Sequence, residues 1–205
     1  LDPTLTPAEC KRILMETSHP GNIGATARAM KNMGLEHLCL VSPQHYPSAE
    51  ATARASGADD LLARASCYAS LDEALVDATL VIGASARCRT LPVPMLDPRA
   101  CAELTMAQAD SRRVAVVFGC ERTGLSNDEL DRCHYLVQIP SNPDYPSLNL
   151  AAAVQVIAYE LRLAAVDGDV GQCGPGERCG PRFPSSLPRT AADPPVERRY
   201  ARFGQ

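Results

Sequence analysis

No stretch of the chain approaches the roughly 18 consecutive apolar residues that span a membrane. The most apolar segment, residues 148–166, is interrupted by Asn149, Gln155, Glu160 and Arg162. The opening Leu1-Asp2-Pro3-Thr4 has neither the basic start nor the apolar stretch of a secretory leader, so a soluble cytoplasmic protein without membrane contact is expected. Its first residue is not Met, which leaves the native start open. No Cys-x-x-Cys pair occurs among the nine cysteines, at positions 10, 39, 67, 88, 101, 120, 133, 173 and 179. Their odd number and irregular spacing indicate neither a disulfide framework nor a tetrahedral zinc site. Reduced thiols and no metal are expected. A basic surplus is missing too. Residues 1–168 carry 14 Lys+Arg against 20 Asp+Glu, a net −6, and residues 169–205 carry 6 against 4, a net +2. That balance disfavours a protein that coats nucleic acid through bulk charge. Lysine is nearly absent, since 18 of the 20 basic residues are arginine, whose planar fork suits phosphate and carboxylate recognition.

What is present supports a packed core: 45% of the 205 residues are apolar and 21% charged, enough for one domain with some spare chain. Short apolar runs over Arg12–Glu16, Leu38–Val41, Thr79–Ala84, Arg113–Phe118 and Tyr135–Ile139 read as strands. Helical spacing marks Ile23–Met33, Ala49–Ala55, Leu71–Asp77, Ser126–Cys133 and Ser147–Ala165. Strand and helix in turn predict an α/β fold with a mostly parallel sheet flanked by helices. Gly34 is placed for a left-handed cap after the first helix. Ser126 and Glu129 have the spacing of a capping box. In the last helix Leu150, Val154, Ile157, Ala158 and Leu161 form one stripe, with Ser147 as the expected N-cap. From Asp167 to Pro195 Gly and Pro dominate without apolar period, so 169–205 reads as a linker.

Ligands of open α/β sheets gather beyond the carboxyl ends of the strands, and four loops leave such ends. Residues 17–28 open a helix with Gly21 and Gly24, a Gly-x-x-Gly spacing that lacks the full dinucleotide fingerprint of an oxidoreductase. Arg28 sits about two turns along that helix, either as a functional cation or as a surface arginine paired with an acid. His19 in the same loop is a candidate general base by residue type, with nothing in the sequence to place it beside an acceptor. Residues 83–97 place small Gly83, Ala84 and Ala86 beside Arg87 and Arg89. Residues 118–125 bracket Glu121 with glycines, free to bind a cation, a ribose or an arginine. Residues 139–150 carry prolines at 140, 143 and 146 and a polar Asn149 at the head of an apolar helix.

Three segments in this order, NIGATARAM (22–30), GCERTGL (119–125) and IPSNPDYPSLNLAAAVQVIAYELR (139–162), resemble the motifs of the SPOUT RNA methyltransferases. ETSHPGN, TLPVPMLDPR and ERTGLSNDEL make the chain most similar to their TrmJ branch of tRNA (cytidine/uridine-2′-O)-methyltransferases, over about residues 11–166. The resemblance implies a C-terminal trefoil knot, an exception to the rule against threaded chains, in a methyltransferase domain over 1–168. It implies S-adenosylmethionine as cofactor, held by Ala84, Ser85, Ala86, Gly119, Ile139, Pro146, Ser147 and Leu148, and it implies a homodimer. The acceptor would be the ribose 2′-hydroxyl of nucleotide 32 in the tRNA anticodon loop. Arg28 would be catalytic, Asn22, Glu121 and Asn149 supporting, and Arg87, Arg89 and Arg122 RNA contacts.

Other readings of the same motifs are a 2′-O-methyltransferase of ribosomal or another RNA, and a non-catalytic dimer that binds cofactor or RNA. Three positions depart from the TrmJ pattern. Cys120 stands where arginine is usual, and Val93 where tryptophan is common. PPVERRYARFGQ (194–205) resembles only the opening of a C-terminal, tRNA-binding helical extension.

Overall fold

Alternate residues of the central strands face opposite sides of one sheet, and both sides are apolar. The computed structural model describes residues 10–86, 93–108 and 113–170. The chain runs β1 (Lys11–Met15), α1 (Pro20–Asn32), β2 (Leu38–Val41), α2 (Ala49–Ala55), α3 (Asp59–Ala63), β3 (Ser66–Tyr68) and α4 (Leu71–Leu75). It continues through β4 (Leu80–Ala84), β5 (Met95–Leu96), α5 (Pro98–Gln108), β6 (Val114–Phe118), α6 (Asn127–Leu130), β7 (Tyr135–Val137) and α7 (Leu150–Val170). The seven strands form one sheet in the order β3-β2-β1-β6-β4-β7-β5, and every pairing is parallel. Leu14, Ile82, Val116 and Phe118 point to the face covered by α1, α5 and α7. Ile13, Met15, Val81, Ala115 and Val117 point to the face under α4 and α6. Burial on both faces is why these strands read as continuous apolar runs rather than alternating ones.

The expected strands and helices are all present, β2 and α2 with the expected bounds and the others with shifted ends. Gly34 adopts φ 72° behind the C-cap Met33, and the Ser126–Glu129 capping box forms in full. The α7 stripe of Leu150, Val154, Ile157, Ala158 and Leu161 is buried. Four elements were not anticipated. Edge strands β3 and β5 are short and borrow their order from the backbones of β2 and β7, which local sequence does not reveal. Helix α3 is a single short turn. Helix α5 had a legible start, because Asp97 Oδ1 accepts from Ala100 N–H at 2.8 Å just ahead of Pro98.

Two expectations about α7 are corrected. It begins at Leu150, with Asn149 rather than Ser147 as its cap: Asn149 Oδ1 accepts from Ala151 N–H at 2.9 Å, and the Asn149 carbonyl accepts from Ala153 N–H at 2.9 Å. It also runs to Val170, so the first residues assigned to the Gly/Pro-rich linker are helical. The rest of that segment, 171–205, lies outside the described residues. Among the described residues no helix is long and apolar enough to cross a membrane.

The order at one edge of the sheet matters for the site. Ala84 of β4 and Leu96 of β5 both pair with Val137 of β7. Strands β4 and β5, consecutive in sequence, therefore flank β7, and the chain leaving β7 starts between them.

Candidate functional site

The carboxyl ends of β4, β6 and β7 converge on a pocket of about 350 Å³, within the range of small-ligand and cofactor sites. Ala84, Ser85 and Ala86 supply one wall, residues 118–125 a second, and Ile139, Pro146, Ser147 and Leu148 a third, with Val137, Leu150 and Ala153 at its base. Every residue expected to hold a cofactor thus lines the same cavity. Ser85 N–H donates to the Val137 carbonyl at 3.0 Å, tying the first wall to β7.

Small side chains are needed here for different reasons. A Cβ on Gly119 would lie 2.2 Å from the carbonyl carbon of Gly124 and 2.3 Å from Leu125 N, because the 120–124 loop folds back over it. That loop is closed by Gly124 N–H donating to the Cys120 carbonyl at 2.8 Å, with Gly124 at φ 69°. Gly83, expected to make room for a ligand, instead faces the core: its Cβ would meet Cys133 Sγ at 2.8 Å and Leu125 Cδ1 at 2.9 Å. Gly24 admits neither phosphate nor ligand either, since its missing Cβ is filled by the Ala51 carbonyl of α2, at 2.0 Å.

Beside the pocket, one polar chain joins the three motifs. Asn22 Nδ2 donates to Glu121 Oε1 at 2.9 Å, and Asn149 Nδ2 donates to Asn22 Oδ1 at 3.0 Å. Ser18 donates twice to Glu121 Oε2, through its N–H at 3.1 Å and its hydroxyl at 3.2 Å. Burial raises the Glu121 pKa, but the hydrogen bonds from Asn22 and the backbone outweigh it and hold the carboxyl below its ordinary range. Glu121 therefore pairs with amides and a hydroxyl, and with no arginine among the described residues. Sequence reasoning missed Ser18; its only signal was a small polar residue in the loop that precedes α1. It missed Phe118, Cys120, Val137 and Leu150 as lining as well, because apolar and thiol side chains carry no ligand signature.

The basic candidates separate. Arg122 lines the pocket and is exposed. Arg28 is exposed on α1 and is not among the lining residues, and its side chain makes no hydrogen bond or ion pair with any described residue, so no described acid holds it. Arg87 and Arg89 lie outside the described residues. His19, the N-cap residue of α1, makes no side-chain cap and is not part of the pocket wall. Val93 packs against the second core cluster. His134 Nδ1 accepts from Val81 N–H at 3.0 Å, and burial pushes the neighbouring Cys133 thiol up to about 12.

The chain is similar to known proteins in sequence and fold. The sequence matches the SpoU rRNA Methylase family over residues 12–159. It is 56% identical over 155 residues to "tRNA (cytidine/uridine-2'-O-)-methyltransferase TrmJ" of Sodalis glossinidius (strain morsitans), covering 76% of this chain and 61% of that protein. The chain spans about three-fifths of the length of the curated relatives it matches. Its structure is similar to that of a probable methylase family protein from Haemophilus influenzae Rd KW20, with TM-score 0.77 and 46% identity, covering 85% of this chain and 73% of that one. TrmJ from Z. mobilis ZM4 gives TM-score 0.72 and 36% identity, covering 77% and 69%. The family match begins in β1 and ends in α7, taking in every strand end and loop that builds the pocket, and the chain belongs to the SpoU rRNA methylase family.

Proposed function

We propose that this chain is an S-adenosylmethionine-dependent RNA methyltransferase. It modifies the ribose 2′-hydroxyl of a cytidine or uridine at nucleotide 32 of the tRNA anticodon loop. The observation that carries this reading is the pocket itself: the residues that the TrmJ resemblance assigns to the cofactor all line one cavity. The fit is supported by the small Gly, Ala, Ser and Pro residues in its walls, which leave backbone groups within reach of a ligand. When bound, S-adenosylmethionine supplies a sulfonium-activated methyl group, and no metal is called on.

In this reading Ala84, Ser85, Ala86, Gly119, Ile139, Pro146, Ser147 and Leu148 bind and orient the cofactor. Asn22, Glu121 and Asn149 tie the first turn of α1 and the loop after β6 to the head of α7, which keeps Pro146–Leu148 in place. A guanidinium is by residue type a poor base, so Arg28 is not assigned as one. Arg28 donates to the 2′-oxygen and stabilises the alkoxide charge that develops there as the hydroxyl proton is lost to solvent. Arg122, with Arg87 and Arg89, contacts RNA phosphates. A homodimer is part of the proposal, because Arg28 does not line its own chain's pocket and a second copy gives it a pocket to serve. So is a trefoil knot, supported by the placement of β7 between the consecutive strands β4 and β5. We assign the methyltransferase domain to residues 1–168 and its site of action to the cytoplasm.

Labelled S-adenosylmethionine and unmodified bulk tRNA, followed by nuclease digestion and mass spectrometry of methylated dinucleotides, test the reading. A 2′-O-methyl pyrimidine from the anticodon loop is expected. Methylation only of ribosomal RNA, the substrate in the family's description, would replace the tRNA assignment. Arg28→Ala is expected to abolish transfer while cofactor affinity and thermal midpoint stay at wild-type values, as for an exposed side chain without a described partner. Retained turnover would remove Arg28 from the mechanism.

A further inference from the structure

We infer that Tyr145 is the stacking platform for an unpaired nucleobase of the RNA substrate, next to the ribose that reacts. The inference deepens the proposed function and rests on it. Tyr145 is 79% exposed, the most exposed aromatic ring among the described residues. It directly precedes Pro146, Ser147 and Leu148, which form one wall of the pocket.

The loop that carries Tyr145 is held along its length. Tyr145 N–H donates to the Asn142 carbonyl at 3.0 Å, and Asp144 N–H donates to Asn142 Oδ1 at 3.0 Å. The Ser141 hydroxyl donates to the Pro146 carbonyl at 3.1 Å. Pro143 and Pro146 fix their own φ angles and restrict the residues before them, Tyr145 included. The backbone is thus ordered while the ring is left almost unpacked. A tyrosine with only two side-chain torsions to freeze makes a large contact at low entropic cost.

The chemistry of the surroundings selects a base as the occupant. Arg122, exposed in another wall of the pocket, offers a cation to the phosphate backbone, and an exposed aromatic ring in a site that also carries a cation is the pattern that binds single-stranded RNA. The chain has no tryptophan, and Val93, which stands where one is common in the TrmJ branch, packs against the core. Among the described residues Tyr145 offers the most exposed aromatic surface.

The test uses the full chain with Tyr145→Ala, Tyr145→Leu and Tyr145→Phe. It measures KM and kcat on unmodified tRNA, S-adenosylhomocysteine affinity, thermal midpoint and sedimentation. Base–aromatic stacking predicts that Ala and Leu each raise KM for tRNA about tenfold. Phe should restore it, with cofactor affinity, midpoint and sedimentation unchanged. Leu at wild-type KM would overturn the inference, since an apolar side chain without a π face would then suffice. A shift in sedimentation, with unaltered RNA affinity in the monomer, would overturn it in favour of a contact with a second copy. A wild-type chain that transfers no methyl to tRNA would sink the proposed function and this inference together; an active wild type with an unimpaired Tyr145→Ala would sink this inference alone.

Discussion

Gly119→Ala separates a steric requirement from a merely convenient glycine. The new Cβ would sit 2.2 Å from the Gly124 carbonyl carbon and 2.3 Å from Leu125 N, against an ordinary carbon–carbon contact of about 3.5 Å. The obstructing atoms are backbone, so no rotamer change relieves the clash, and the 119–125 loop must move by about 1 Å. Overpacking of this kind costs about 1–3 kcal/mol, and backbone obstruction puts the value at the upper end. In a domain of this size each kcal/mol moves the midpoint by about 2–4 °C, so a fall of roughly 5–10 °C is expected. The same loop forms a pocket wall, so S-adenosylhomocysteine affinity should fall at least about tenfold, removing about 1.4 kcal/mol of ligand stabilisation at a fixed saturating concentration. Thermal unfolding with and without S-adenosylhomocysteine reads both effects. Gly57→Ala is the control: Gly57 has φ 90° but nothing within 4 Å of the new Cβ. It should lose about 1–2 kcal/mol from backbone strain alone and keep its full ligand shift. A Gly119→Ala protein with the wild-type midpoint and ligand shift would refute the reasoning.

Asn149→Ala removes the N-cap of α7 and the donor to Asn22, and urea denaturation should show a loss of about 1–2 kcal/mol. Asn149→Asp keeps an acceptor for Ala151 N–H but not the amide donor, and should recover only the cap's share; an undiminished midpoint in the Ala variant would show that the cap does not anchor the pocket wall. Glu121 supplies a pH test. Its pKa is lowered in the folded protein, so the ionised form stabilises the native state above the ordinary glutamate value. That contribution is lost as pH falls through the lowered folded value. Below about pH 5 the wild-type denaturation midpoint should therefore fall more steeply than that of Glu121→Gln. Asp60, Asp72 and Asp77, lowered by their hydrogen bonds to Lys31, Arg132 and Lys11, act in both proteins and cancel in the difference. Parallel pH profiles would rule out the carboxylate as an ionised partner of Asn22.

The local chemistry of the chain determined most of the framework. Apolar runs buried on two faces specify β1, β2, β4, β6 and β7. A positive-φ glycine ends α1 at Gly34, and a hydroxyl and a carboxylate three residues apart begin α6. The family resemblance that the motifs carry named Ala84, Ser85, Ala86, Gly119, Ile139, Pro146, Ser147 and Leu148, which line one pocket, but not Phe118, Cys120, Val137 and Leu150 beside them. Tertiary structure decided what depends on partners distant in sequence. Edge strands β3 and β5 exist because neighbouring backbones offer hydrogen bonds. Ser147 and Asn149 are comparable caps in isolation, and the bond from Asn149 to Asn22, 127 positions away, accompanies the choice of Asn149. Gly83, Gly24 and Gly119 are alike in sequence; only packing shows that the first two admit a core side chain and a helix, while the third admits the loop that closes the site. Glu121 had several conceivable partners, and the fold selected Asn22 and Ser18 by bringing the ends of β1 and β6 side by side. Sequence records which groups are available, whereas the pairing of each polar group depends on which strand ends the sheet order makes neighbours.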